Sequence, residues 1–448
     1  MKRVALVGSL LLGCTIMAGT AAGIPTGGAA SAGGSTSVHL ADIQDEQVLV
    51  LKDACGDECQ ADAVAEIEAA GCDRVRLFPT IRMASVRCKG TGSGVSSPAD
   101  GVPSGGFDLS RLPGVESVSP NSMVFFESPV RSPGDTSVVD HRTTDSLGMR
   151  QEDEVPWGLD RIDQRSLPLN GRFMTPCYPA RGAGVWVFVV DTGITAEHPQ
   201  FEDRAIGVLP PGSRFDSAED ESGHGSHVAG TVAGKTTGVA PAARIVGVRC
   251  LDDEGRSSIA EVLAAIDYTA AAKYSHPRRK IVLNMSLGTN LTSALPWTLA
   301  AERAAKIGVI AVASAGNDPV DACRFHPARA ASVITVAALT REDKLADFSA
   351  RGTRCVDVGA PGVDVLSVDA FSPETGGLVV KSGTSMAAPH VAGLAALILA
   401  EDPRGAELFG DEVLRRMTKA APIVGGYPLA WANPSCAMPD GVPAGSVA

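Results

Sequence analysis

An α/β fold, with a parallel sheet flanked by helices on both faces and a small α+β domain ahead of it, is what this 448-residue sequence predicts. Three observations carry that reading. From residue 185 onward, short apolar runs at 185–191, 244–250, 280–286, 308–314 and 332–338 alternate with helical segments at 224–234, 257–274, 294–307, 384–400 and 408–420. Apolar strands that alternate with helices mark a parallel sheet covered on both sides. Second, residues 391–400 are apolar on every face, as in a helix driven into a core. Third, Asp191, Ser286 and Asn317 each lie at or just past the end of an apolar run, where such sheets collect their chemistry.

The chain opens with Met-Lys-Arg, an apolar run and small residues at Thr20-Ala21-Ala22. That pattern reads as a secretory signal over 1–22, too short for a membrane span. A lipoprotein-type cleavage box at Cys14 is the lesser alternative. Residues 23–46, rich in Gly, Ala and Ser, are predicted to be disordered. A compact unit follows over 47–126, with strands at 48–51 and 83–86, a helix at 61–71 and a Gly/Ser/Pro loop at 90–107. Residues 127–153 read as a linker, 154–430 as the large domain and 431–448 as a tail. No stretch after the leader has the length and uniform apolarity expected of a transmembrane helix.

With 44% hydrophobic residues the chain can bury a large core, and 49 glycines and 29 prolines predict many tight loops. A formal charge of -12 leaves no basic patch for nucleic acid. Ten cysteines fit an oxidising compartment. Cys55, Cys59, Cys72 and Cys88 precede the linker; Cys177, Cys250, Cys323, Cys355 and Cys436 follow it, an odd set that leaves one thiol over. Cys250 ends the strand pattern 244–250 and reads as a buried small hydrophobe.

Gly383-Thr384-Ser385 opens the buried helix, with Thr384 or Ser385 available to cap it and Pro389 placed in its first turn. Its positive end favours a developing oxyanion. A serine there is a nucleophile only if a base takes its proton. His224, in Gly-His-Gly-Ser-His (223–227), is the candidate base, and Asp191, in Asp-Thr-Gly, the group that orients it. Taken singly, each residue also has a plainer reading: Ser385 as a helix cap, Asp191 as a turn residue, His224 as structural or as one of a metal pair with His227. No further ligands are spaced to complete a zinc site.

The order Asp, His, Ser in these three motifs resembles the subtilase family of serine endopeptidases, and within it the proteinase K group. The resemblance covers about 155–430. Leu112–Val118 is similar to the end of the family's propeptide, and Pro156–Ile162 to its mature amino terminus. Ser226 departs from the family's more usual threonine, and the four cysteines before the linker have no counterpart in the family pattern.

The resemblance implies a subtilisin-like fold and a triad of Asp191, His224 and Ser385. It implies Asn317 as oxyanion donor alongside the Ser385 N–H, and Ser286, Leu287 and Gly288 as the strand that pairs with substrate backbone. Ala315 and Gly316 would complete a roomy apolar specificity pocket, favouring cleavage after apolar or aromatic residues. It also implies a Cys323–Cys355 disulfide, and structural calcium on Asp357 with the carbonyls of Ala331 and Val333, a turn aspartate being the alternative. No cofactor is expected for catalysis. The partners implied are protein and peptide substrates and the chain's own propeptide, an intramolecular inhibitor, in a secreted, self-maturing monomer. Asn290-Leu291-Thr292 fits an N-glycosylation acceptor. A second reading is a binding protein on the same scaffold that cleaves itself once and keeps its propeptide. An α/β-hydrolase esterase fails, since no Gly-x-Ser-x-Gly surrounds Ser385.

Overall fold

The computed structural model describes residues 43, 45–69, 71–88, 108–125, 155–175 and 177–432. The sequence readings for the leader, the linker, the 90–107 loop, nearly all of 23–46 and all but the start of the tail lie outside those residues.

Chain order within the described residues begins with β1 (Glu46–Leu51), α1 (Asp57–Ala69), β2 (Cys72–Phe78), β3 (Met83–Cys88), β4 (Val115–Pro120), β5 (Met123–Phe125) and the short helix α2 (Trp157–Ile162). β1 to β4 form an antiparallel sheet in the order β2-β3-β1-β4. Its own core is small, centred on Leu49, Leu51, Ile67, Val86, Leu112 and Val115. Two disulfides supplement that core, Cys55–Cys59 and Cys72–Cys88. Cross-links matter most where apolar burial is limited.

Seven strands build the large sheet: β6 (Val185–Asp191), β7 (Ala205–Val208), β8 (Arg244–Arg249), β10 (Lys280–Met285), β11 (Ile310–Ser314), β12 (Val333–Leu339) and β13 (Val358–Pro361). Every pairing is parallel, in the order β13-β12-β11-β10-β6-β8-β7. From β6 the chain goes first to β7 at the sheet edge and then returns to place β8 between them. It then crosses back and builds the other way from β10. β6 and β10 therefore flank the point where strand order reverses, the crevice in which open sheets place ligands.

Helices cover both faces, as the alternating pattern requires. One face packs against α3 (His224–Ala233) and α6 (Thr384–Glu401), in a core that includes Val187, Val189, Val228, Val391, Leu394 and Leu397. The other packs against α4 (Ile259–Ser275) and α5 (Leu295–Lys306), through Phe188, Val190, Leu263, Ile266 and Trp297. α4 starts where Ser-x-x-Glu predicts a helix start: Ser258 Oγ accepts the Glu261 N–H at 3.3 Å. α6 is the one helix among the described residues long and apolar enough to cross a membrane by length and composition, and 89% of it is buried inside the protein.

The small sheet docks on the α4/α5 face, where Val48, Val50, Phe78, Ile81, Met83 and Val124 join the core beneath those helices. Arg303 of α5 donates to the carbonyls of Ile81 and Arg82, both at 2.9 Å, and of Leu51 at 2.8 Å. Asp267 of α4 accepts the Thr80 and Ile81 N–H groups at 2.8 and 3.0 Å. Asn121 Oδ1 accepts the Ala260 N–H at 3.0 Å, at the start of α4. Beyond it, β5 pairs antiparallel with β9 (Arg256–Ser258), Val124 opposite Ser257.

Three expectations change. β2, β4, β5, β7, β9 and β13 were not anticipated as strands. Pro389 is the sixth residue of α6, one turn further in than predicted. Neither Thr384 nor Ser385 caps that helix with its own side chain; the acceptor for the Thr384 N–H is the Asn317 side chain.

Candidate active site

Two residues past the Asn284–Val189 pair, Ser286 directly follows β10 and Asp191 ends β6. Asp191 is fully buried, and its Oδ1 accepts the Thr192 N–H at 2.8 Å and His224 Nδ1 at 2.7 Å. A carboxylate on Nδ1 fixes the proton there and leaves Nε2 as the basic nitrogen. His224 is the first residue of α3, whose start is pressed against the Asp-Thr-Gly turn. A Cβ at Gly225 would lie only 2.2 Å from the Gly193 carbonyl oxygen, so the glycine after the histidine is required by this close approach.

Asp220 holds that helix start in place, a role the sequence reading missed. Its Oδ1 accepts Thr192 Oγ1 at 2.7 Å and the Gly223 N–H at 2.8 Å; its Oδ2 accepts the Ser226 N–H at 2.7 Å. The carboxylate thus satisfies orphan donors of the first turn and ties it to the residue after Asp191. The available signal was an aspartate four residues ahead of His224, at a predicted helix start. Ser226 uses its hydroxyl on the Thr195 N–H at 2.9 Å. His227 Nε2 donates to the carbonyls of Val365 and Val379 at 3.0 and 3.2 Å. Burial first, then the nearby Lys381 ammonium, hold it well below the usual histidine range and so neutral.

Ser385 lies in the first turn of α6, which packs alongside α3, and is almost fully buried. Its Oγ donates to the Ser286 carbonyl at 3.0 Å, and Ser286 Oγ donates back to the Ser385 carbonyl at 2.8 Å. Asn284 Nδ2 donates to Ser286 Oγ at 3.0 Å. Asn317 follows β11, and its Oδ1 accepts the Thr384 N–H at 2.9 Å and Thr384 Oγ1 at 2.8 Å. This side chain, rather than Thr384 or Ser385, caps α6. Two donors on one atom identify it as the oxygen, so the amide nitrogen points the other way. That nitrogen is 3.5 Å from where a Cβ on Gly383 would sit, at the helix tip.

Leu287, Gly288, Ser314, Gly316, Phe325 and Ser385 line a pocket beside the serine. It is narrow: the unfilled space among these residues, open solvent included, is about 220 Å³. The Phe325 ring explains this: at Gly316, with φ of +113°, a Cβ would meet that ring at 3.1 Å. Ala315 is fully buried in a cluster with Phe325 and Ala322. Phe325 had no sequence signal, because only the fold brings its ring under Gly316.

Ala331, Val333 and Asp357 line one cavity of about 440 Å³, away from the serine. Asp357 Oδ2 accepts the Thr335 N–H at 2.8 Å, and burial raises the carboxyl above its usual range. A carboxylate joined by main-chain carbonyl oxygens is the hard donor set that suits calcium. Among the described residues no group of three His, Cys, Asp or Glu forms a metal cluster. Cys323 and Cys355 are joined at an S–S distance of 2.04 Å, and Cys250 is a buried free thiol.

A helix-covered parallel sheet with a carboxylate–imidazole pair at its switch point and a serine at a buried helix tip defines an α/β protein with a candidate nucleophilic serine site. A profile of the subtilase family matches residues 182–424, and the chain belongs to that family. It is 45% identical over 246 residues to an extracellular serine proteinase of Thermus sp., covering 54% of this chain and 56% of that protein. It is 40% identical over 270 residues to a subtilisin-like protease 5 of Arthroderma gypseum, covering 60% and 63%. The match thus spans less than two thirds of these relatives' own length. A cold-adapted subtilisin-like serine proteinase of known structure superposes with a TM-score of 0.54 at 36% identity, covering 61% of this chain and 98% of that one.

Proposed function

We propose that this protein is an exported serine endopeptidase that hydrolyses peptide bonds through an acyl-enzyme. The observation that carries the reading is the 2.7 Å bond from His224 Nδ1 to Asp191, at the crevice that also receives the tip of α6. In this reading Ser385 Oγ attacks the scissile carbonyl while His224 Nε2 takes its proton, later given to the leaving amine. Asp191 stabilises the imidazolium. The Asn317 amide and the Ser385 N–H receive the oxyanion, in a site where preorganised donors need no reorientation.

A substrate would lie as an extended strand between Ser286–Gly288 and β9, read mainly through its backbone. The chain's own β5 occupies β9 in that manner, which supports residues 47–126 as an inhibitory domain removed during maturation. Phe325 under Gly316 favours small to medium apolar side chains in the specificity pocket. Asp357 with the Ala331 and Val333 carbonyls would hold calcium as a structural ion. Disulfides fit an oxidising, extracellular setting. The test is digestion of denatured casein by the purified protein, with Ser385→Ala as control. Digestion that persists in the variant rejects the proposal.

A further inference from the structure

α6 contains a defect next to its serine. In a regular helix the Ser385 carbonyl would accept the N–H of residue 389, but that residue is proline and has none. The carbonyl belongs to a fully enclosed turn, where an unpaired acceptor is costly. Ser286 supplies the absent donor: its Oγ reaches the Ser385 carbonyl at 2.8 Å from the end of a neighbouring strand. Asn284 Nδ2, donating at 3.0 Å, orients that hydroxyl, and Ser286 is itself fully buried.

We propose that the Ser286 hydroxyl is a positioning residue for the nucleophile, replacing the helical hydrogen bond that Pro389 removes. The inference rests on Ser385 being that nucleophile. Two bonds join the residues, and they have different fates. The one from Ser385 Oγ to the Ser286 carbonyl, at 3.0 Å, must break when the serine turns to His224. The one from Ser286 Oγ holds only backbone, so it persists while the side chain turns. It fixes the Ser385 peptide groups, whose N–H is the proposed oxyanion donor. Ser286 therefore acts through its side chain on the enzyme, besides any contact its backbone makes with substrate.

A double-mutant cycle tests this on the protein expressed as its full chain and allowed to mature, with Ser286→Ala, Pro389→Ala, the double variant and Ser286→Thr. The readouts are kcat and KM on a peptide substrate and the inactivation rate with a serine-reactive phosphonate. Ser286→Ala is expected to lower kcat and the inactivation rate about tenfold, with KM within about twofold, as loss of one buried hydrogen bond implies. Ser286→Thr restores most of the loss. With Pro389→Ala, which returns an N–H to the helix, the same substitution costs about threefold or less. If Ser286→Ala does not fold, Ser286→Cys takes its place, with a smaller loss that Pro389→Ala also shrinks. Unchanged kcat in the Ser286 variants, or an equal loss in both backgrounds, overturns the proposal. Turnover that survives Ser385→Ala would instead remove the nucleophile reading beneath it.

Discussion

Asn317 Oδ1 receives both donors of Thr384, the backbone N–H at 2.9 Å and the hydroxyl at 2.8 Å. One side chain thus caps the helix that carries Ser385 and has its amide nitrogen aimed by the same bonds. Thr384 Oγ1 also accepts the Gly316 N–H at 3.2 Å, tying the cap to the pocket wall.

Thr384→Val keeps the shape and removes the hydroxyl, so the Asn317 amide loses one of two restraints. A fall in kcat of about tenfold is expected, with KM little changed. Asn317→Leu should cost more, about 10² to 10³ in kcat, the size such a donor has in subtilisin itself. Steady-state kinetics on one peptide substrate checks both, and a larger effect at Thr384 than at Asn317 contradicts the arrangement.

Asp220 joins the residue after Asp191 to the helix that begins with His224. Asp220→Ala leaves several buried donors without an acceptor, an expected loss of about 1–3 kcal/mol for each group left unsatisfied. Both the unfolding midpoint and kcat should fall, and Asp220→Asn should recover part of each. Thermal unfolding and kinetics on the same preparations decide, and a variant with normal values rules the network out.

His390, buried within α6, is pushed by desolvation down to about 4 from the ordinary 6.5, partly offset by its bond to the Met386 carbonyl at 2.9 Å. As pH falls the unfolded chain takes up this proton first. The histidine's contribution is therefore complete above about 6.5 and is lost on going down to about 4. Asp163 and Asp267, each raised by burial to about 6, act in the opposite sense over an overlapping range. The comparison is accordingly between the Ser385→Ala protein and the same protein with His390→Gln, by thermal unfolding from pH 7.5 to 4. The gap between the midpoints should narrow as pH falls; parallel curves would refute the assignment.

Arg303 donates to three backbone carbonyls of the small N-terminal sheet. Arg303→Ala removes all three bonds, so the grip of that sheet on α5 should weaken by at least about tenfold. Casein-digesting activity should then appear after a shorter lag. An unchanged lag shows that the docking does not restrain activity.

Much of this was legible in the chain because it lies within short stretches. The run 185–190 is apolar throughout, so a strand buried on both faces was visible, with Asp191 at its end. The apolar character of α6 likewise fixed a core helix. β7, with four residues, and β13, ending in a proline, are too short for periodicity to register. The Asn317 cap, the Phe325 floor and the Ser286 donor join residues 67 or more positions apart or act through a fold-made cavity. Local pattern carries no signal for such contacts.

The most direct test of the central claim is to label the purified, matured protein with a serine-reactive phosphonate and map the adduct by mass spectrometry. One adduct, on Ser385, is expected, and it should be abolished by His224→Ala. Labelling at another residue, or peptide hydrolysis that continues with Ser385 unmodified and replaced by alanine, would contradict it.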